Sequence, residues 1–280
     1  MSIRTTLRAT GELRLRDKDA GLTPLRDEGG NGRGNGGNGG HKQREREQTA
    51  ELVEKIGKLQ EMLYAARERK VLLVLQGMDT SGKDGTVRSL FHGINPMGLR
   101  AVTFKAPNDD ELAHDYLWRV HRQVPAKGEI AIFNRSHYED VLITLVQGWI
   151  DEEEAERRYA HIRDFERMLA DTGTVIVKVF LHISKDEQKA RLQERIDDPD
   201  KHWKFDDNDL VQRQRWDEYQ RAYEKAIGAT DAEHAPWYVI PADSKTHRNL
   251  LMATLLLEIM ESLDLGFPKP RAELLKLTVE

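Results

Sequence analysis

Cysteine is absent from the 280 residues, which excludes disulfides, a thiolate nucleophile and cysteine-ligated zinc, and fits a reducing compartment. No apolar run approaches the length of a membrane span, so the expectation is a soluble protein with no membrane partner. The first residues, Met1-Ser2-Ile3-Arg4-Thr5-Thr6, lack the apolar core of a secretory signal, and the expected location is cytoplasmic. Neither charge is in surplus. Lys and Arg total 43 against 48 Asp and Glu, a net −5, which gives no global pull toward nucleic acid or an anionic membrane. A polyanion must then be held by a local convergence of basic side chains.

Such a convergence begins where the apolar run Val71-Leu72-Leu73-Val74-Leu75 meets Gly77-Met78-Asp79-Thr80-Ser81-Gly82-Lys83. In the pattern GxxxxGK the glycines let the loop curl, so that successive N–H groups and the start of the next helix face phosphate oxygens, and the lysine adds a point charge. Thr80 and Ser81 lie inside this loop, and Thr86-Val87-Arg88-Ser89-Leu90-Phe91 after it suits a helix. The loop departs from the common pattern. Asp84, followed by Gly85 and Thr86, stands where Ser or Thr would hold Mg²⁺, and Asp79 sits within the cradle. A carboxylate beside phosphates repels unless a divalent cation lies between or an incoming group is oriented by it, so Asp79 reads as an organiser of metal or acceptor phosphate. The competing reading of both aspartates is helix capping or an Asx turn.

Residues 28–43 form a glycine and asparagine tract read as a flexible linker, and residues 1–27 ahead of it have few large apolar side chains and read as an arm that packs weakly or stays mobile. From about Arg44 the helical spacing of Leu52, Ile56, Leu59 and Leu63 predicts an amphipathic helix ending near Arg69. Further strand-like runs fall at 101–105, 130–133, 174–181 and 237–240, with helical patterns between them. Alternating units with nearly all-apolar strands predict an α/β fold: a parallel sheet covered on both faces, ligands at the carboxyl ends of the strands.

Phe133-Asn134-Arg135-Ser136-His137-Tyr138-Glu139-Asp140 crowds one such end. Asn134 occupies the place of the acidic residue expected there and is an amide that cannot be an anionic ligand, leaving Glu139 and Asp140 to supply charge. Arg135 can grip phosphate bidentately. Ser136 and Asp140 also read as caps of a turn, and His137 as a packed core residue. A third stretch, Ser184 to Arg195 and then Asp198-Pro199-Asp200-Lys201-His202-Trp203-Lys204-Phe205, puts Arg191 and Arg195 on one helix face and reads as a mobile flap whose arginines swing onto transferring phosphates. Six acids match its six bases, so a solvated, salt-bridged helix competes.

Together these stretches resemble the family-2 polyphosphate kinases, over essentially all of residues 45–265. The sequences GMDTSGKDGT from Gly77, FNRSHY from Phe133, KHWKF from Lys201 and APWYVIPA from Ala235 carry the resemblance. It implies a thymidylate-kinase-like P-loop fold of three layers with a helical lid at about 184–209. The catalytic domain would then span 44–265, with 266–280 as a tail. It implies inorganic polyphosphate as phosphoryl donor, Asp79 organising metal and acceptor phosphate, Lys83 on the transferring group with Arg135 beside it, and lid arginines Arg191 and Arg195. Mg²⁺ or Mn²⁺ at Asp79 and a dimer or larger assembly, expected as a homodimer or homotetramer, are also implied; the strand-end motif adds Glu139 as a second candidate carboxylate for the metal. Where many ADP-phosphorylating members have FDRSWYN this chain has FNRSHYE, similar to the branch that accepts both AMP and ADP, with ATP as a product. The expected reaction is reversible phosphoryl transfer from polyphosphate to nucleoside mono- and diphosphates. Its rivals are an ATP-dependent nucleoside monophosphate kinase and a non-catalytic nucleotide-binding protein.

Overall fold

The computed structural model describes residues 2–26 and 38–273, with side chains of the second stretch from residue 40. Its centre is a five-stranded, all-parallel sheet in the order β2-β3-β1-β4-β5. The strands are β1 (Lys70–Gln76), β2 (Leu99–Thr103), β3 (Ile130–Asn134), β4 (Thr174–His182) and β5 (Trp237–Pro241). Side chains of successive strand residues alternate between faces, and both faces are apolar. On β1, Leu72 and Val74 enter one core with Phe133, Tyr159, Phe180 and Trp237, while Val71, Leu73 and Leu75 enter the other with Ile56, Leu90, Leu251 and Leu255. Burying each large apolar side chain contributes roughly 1.5–3 kcal/mol.

Helices cover the two faces. One layer contains α2 (Asn38–Ala66), α3 (Lys83–Phe91) and α11 (Lys245–Glu261); the other contains α7 (Glu152–Asp171) and α10 (Trp216–Thr230). Single-turn helices α4 (Asp109–Leu112), α5 (Trp118–His121) and α6 (Ile143–Val146) lie in the connections, and α8 (Lys185–Asp197) and α9 (Asp207–Gln214) follow β4. This three-layer arrangement is the expected one, a P-loop kinase fold. The connection from β1 runs to β2 on one side and that from β3 to β4 on the other, so a crevice opens between the carboxyl ends of β1 and β3, the position where such sheets bind ligands. The three polar stretches singled out in the sequence follow β1, β3 and β4 and therefore converge there.

The amino-terminal arm differs from expectation. Ile3 and Leu7 of α1 (Ile3–Leu7) are buried against α11, and Glu258 receives the Ser2 hydroxyl at 2.5 Å and the Ile3 and Arg4 N–H groups at 3.0 and 3.2 Å. Arg8 pairs with Asp231 at 2.9 Å and bridges Tyr238 antiparallel, covering the edge strand β5. Two apolar residues four apart behind an N-cap serine suffice, because α11 supplies the rest of the apolar contact. Residues 28–37 of the expected linker lie outside the described residues; α2 already begins at Asn38 rather than near Arg44.

Candidate active site

The loop after β1 is shaped by conformations that its sequence allows. Gly77 has φ of +154°, and a Cβ there would lie 2.7 Å from Ser81 Oγ and 2.8 Å from the Leu181 carbonyl; a Cβ on Gly82, at φ of +102°, would collide with the Arg248 guanidinium. Thr80 and Arg135 hold φ values of +63° and +62° without being glycine, strain of the kind that persists at functional sites. Lys83 opens α3 and curls back into the loop, donating to the Gly77 carbonyl at 2.6 Å and the Met78 carbonyl at 3.3 Å. Burial and the nearby Arg135 charge hold its pKa below the usual lysine value, against the pull of Asp79, Glu139 and Asp84. The hydroxyls of Thr80, Ser81 and Thr86 are buried and have no partner. Thr80 and Lys83 line a cradle for anionic oxygens, and Ser81 and Thr86 are buried outside its lining.

The second stretch faces that cradle. Arg135 donates to Asp79 at 3.0 Å; burial opposes its charge, but Glu139 and Asp79 outweigh it and keep its pKa above the ordinary one. Asn134 donates to Asp84 at 2.6 Å, so the amide that replaces an acid still joins the site through a carboxylate on α3. Glu139 lies on a 3₁₀ turn, His137–Val141. With Gln76 in the amide orientation that satisfies both of its ends, its N–H donates to Glu139 at 3.1 Å. Burial raises the Glu139 pKa despite Arg135 and Lys83. Asp140 turns away, 3.8 Å from Arg119. His137 is fully buried and meets Glu166 at 3.1 Å.

Arg191 and Arg195 part company. All five N–H groups of a guanidinium are engaged at Arg191: Glu187 at 2.8 Å, the Thr80 and Ser81 carbonyls at 2.9 and 3.2 Å, and the Ala242 and Asp243 carbonyls at 2.7 Å each. This buried residue cannot swing; it props the phosphate loop from behind. Arg195, half-exposed, donates through Nη1 to the Lys204 carbonyl and to Asp209, both at 3.2 Å. Burial and the Asp79 charge push Asp209 up to about 6.

A cavity of about 500 Å³ joins these groups, lined by Asp79, Thr80, Gly82, Lys83, Asp84, Gly85, Asn134, Arg135, Arg191 and Arg195. It also takes in Lys201, Lys204, Lys245 and Arg248. The last two had no motif to mark them. Arg248 lies on α11 and donates to the Ser81 carbonyl at 3.1 Å, and burial together with Arg191 lowers its pKa to about 9. The available signal was the strand end Pro241-Ala242-Asp243, a ligand-facing position in this fold, followed by two basic residues within one helical turn or so.

Comparison with known proteins agrees with this geometry. Residues 40–266 match the family described as polyphosphate kinase 2. The chain is 55% identical over 231 residues to the AMP/ADP-polyphosphate phosphotransferase of Meiothermus ruber, covering 82% of this chain and 86% of that protein. It is 45% identical over 241 residues to the ADP-polyphosphate phosphotransferase of Rhodopseudomonas palustris, covering 80% and 83%. The crystal structure of polyphosphate kinase 2 from Arthrobacter aurescens superposes with a TM-score of 0.86 at 43% identity, covering 96% of this chain and 93% of that one.

Proposed function

The chain belongs to the polyphosphate kinase 2 family, and from that premise we infer that it is a polyphosphate:nucleotide phosphotransferase acting on both AMP and ADP. The observation that carries this reading is the cradle itself: Lys83 and Thr80 on one side and the Arg135–Asp79 pair on the other, lining one cavity. The relative named for both AMP and ADP shares 55% identity with this chain, which supports dual acceptor use; ATP is then the product from ADP, and the transfer is reversible.

Asp79 and Glu139 fit a divalent ion such as Mg²⁺ or Mn²⁺. Among the described residues no trio of acidic or histidine side chains gathers to hold a metal alone, which suits a cation bound through one or two carboxylates, with waters and substrate phosphates completing its shell. When bound there, that ion would supply charge neutralisation for the substrate phosphates. The residues of the chain do the rest. Arg135, fixed by Asp79, orients the acceptor phosphate for in-line attack on the terminal phosphorus of polyphosphate; Lys83 turns from the loop carbonyls to the transferring oxygens; the loop N–H groups and hydroxyls hold the remainder. The phosphoryl group moves directly from one oxygen to another, and no covalent enzyme intermediate is needed. The α8–α9 segment, 184–209, acts as a lid through Arg195, Lys201 and Lys204. A homodimer or homotetramer in the cytoplasm, without nucleic acid, completes the reading.

The test is product analysis of AMP with polyphosphate and Mg²⁺, ATP omitted. ADP and then ATP should form. Turnover with ATP as sole donor to AMP, and none with polyphosphate, would overturn the reading in favour of a nucleoside monophosphate kinase.

A further inference from the structure

The arm that covers β5 ends against the active-site loop's supports. Asp243, the residue after Ala242 at the close of β5, has contacts in three directions. Its N–H donates to the Ala20 carbonyl of the arm at 3.1 Å. Its carboxylate accepts the Ser184 N–H at 2.8 Å, and Ser184 is the N-cap of α8, its side chain receiving the Glu187 N–H. Its carbonyl accepts Arg191 Nη2, and the Nη1 of the same guanidinium holds the Thr80 and Ser81 carbonyls. The neighbouring Ser244 caps α11 and receives Arg26 of the arm at 3.2 Å, and α11 carries Arg248, the second prop under Ser81. Both arginines that support the phosphate loop are thus anchored at residues 243–244, and the arm grips that same pair of residues. The family match begins at residue 40, so the arm stands outside it.

We propose that Asp243 is a positioning residue through which the amino-terminal arm braces the start of α8 and the phosphate loop. Neither Asp243 nor the arm touches the reacting groups. They fix where Arg191 holds the carbonyls of Thr80 and Ser81, and so the direction in which the Gly82 N–H, in the same peptide as the Ser81 carbonyl, points. A loop held from behind in this way keeps the in-line geometry without spending any phosphate-facing donor.

Hydrogen exchange on the intact chain tests this without reference to turnover. Asp243→Ala, Asp243→Asn and the chain lacking residues 1–26 are compared with the wild type at three places: the amides of Thr80–Lys83, those of Ser184–Gln188, and β1 as an internal control. Asn keeps an oxygen for the Ser184 N–H; Ala does not. The Ala variant and the truncated chain should exchange at least about tenfold faster at the loop and at the start of α8, with β1 unchanged and Asn close to wild type. The kinetic part rests on the phosphotransferase reading: kcat should fall about tenfold in Asp243→Ala with nucleotide KM nearly constant, and Asn should recover most of it. If the truncated chain fails to fold, Arg26→Ala, which releases Ser244 and also the Glu45 carboxylate of α2 but keeps the apolar arm contacts, takes its place. Unchanged loop exchange in Asp243→Ala, an equal rise in β1, or an Asn variant no better than Ala overturns the proposal. A wild-type protein without polyphosphate-dependent turnover but with the expected exchange pattern overturns the functional reading and leaves the brace standing.

Discussion

The turn after β3 sends charge in two directions. Inward, His137 and Tyr138 reach a fully buried set in which Lys178 spends its three donors on Glu166 at 2.6 Å, the Tyr138 hydroxyl at 2.9 Å and the Thr230 carbonyl at 2.8 Å. Outward, Arg135 and Glu139 face Lys83, which rests on loop carbonyls beside three hydroxyls with no partner. Lysine, glutamate and hydroxyls occur in both clusters. What separates them is access: the inner lysine is buried with nothing left to offer a ligand, whereas Lys83 and Arg135 line a cavity of about 500 Å³.

The largest expected effect falls on the inner cluster. Lys178→Met leaves the Glu166 carboxylate buried without its lysine, with His137 and the Tyr138 hydroxyl as remaining partners, a loss of about 3 kcal/mol of stability, read as the denaturant midpoint. Adding Glu166→Leu should recover most of it, since removing both charges also removes both desolvation penalties. A single-variant loss well below about 1 kcal/mol would show the inner pair to be no structural device. The opposite behaviour is expected outside. Lys83→Met should keep or slightly raise stability, because burial and Arg135 already disfavour the ammonium. Its turnover should drop roughly 10²–10³-fold, the worth of one charge aimed at the transferring group, about 2–4 kcal/mol. Wild-type turnover in the folded variant would erase the distinction between the two clusters.

How far the sequence reveals this distinction depends on how local each signal is. Gly77 to Lys83 and the apolar runs of β1, β3 and β4 are legible because a turn and a two-residue alternation are written in consecutive residues. The strand-end residues Asn134, Arg135 and Glu139 are legible for the same reason. Arg191 misleads: its spacing to Arg195 is that of a shared helix face, but its five partners come from the loop at 80–81, from its own turn of α8 and from 242–243, and only the folded chain brings those together. Arg248 is 167 residues from Ser81. The arm is hidden likewise, since the apolar surface that receives Ile3 and Leu7 is on α11.

Arg191 and Arg195 carry the comparison onto one helix. Arg191→Ala abandons four buried or half-buried carbonyls and should cost about 2–3 kcal/mol of stability, with turnover falling as the loop loosens. Arg195→Ala breaks a partly exposed pair and should cost under about 1 kcal/mol. Its effect should appear in kinetics, as a lower specificity constant for polyphosphate at saturating nucleotide. Equal thermal shifts for the two variants would mean that both merely pair along a helix.

The smallest expected effect, and the finest discrimination, concerns Glu139. A shorter acceptor leaves space near the cradle, and a carboxylate on the 3₁₀ turn, held by the Gln76 amide and facing Arg135 and Lys83, can fix a cation or a water in it. Glu139→Asn should therefore reduce AMP phosphorylation more than ADP phosphorylation, by about 1 kcal/mol of difference, or roughly fivefold. The pH dependence has a definite sign. Burial raises the Glu139 pKa above 4.5, so the ionised form is lost at a higher pH than for a free glutamate, and AMP turnover should decline on acidification before ADP turnover does. Asparagine has no proton to gain, and that difference between acceptors should vanish in the variant. Equal losses with both acceptors, or an acid limb unchanged by the substitution, would make Glu139 a support of the turn and move it from the outer cluster to the inner one.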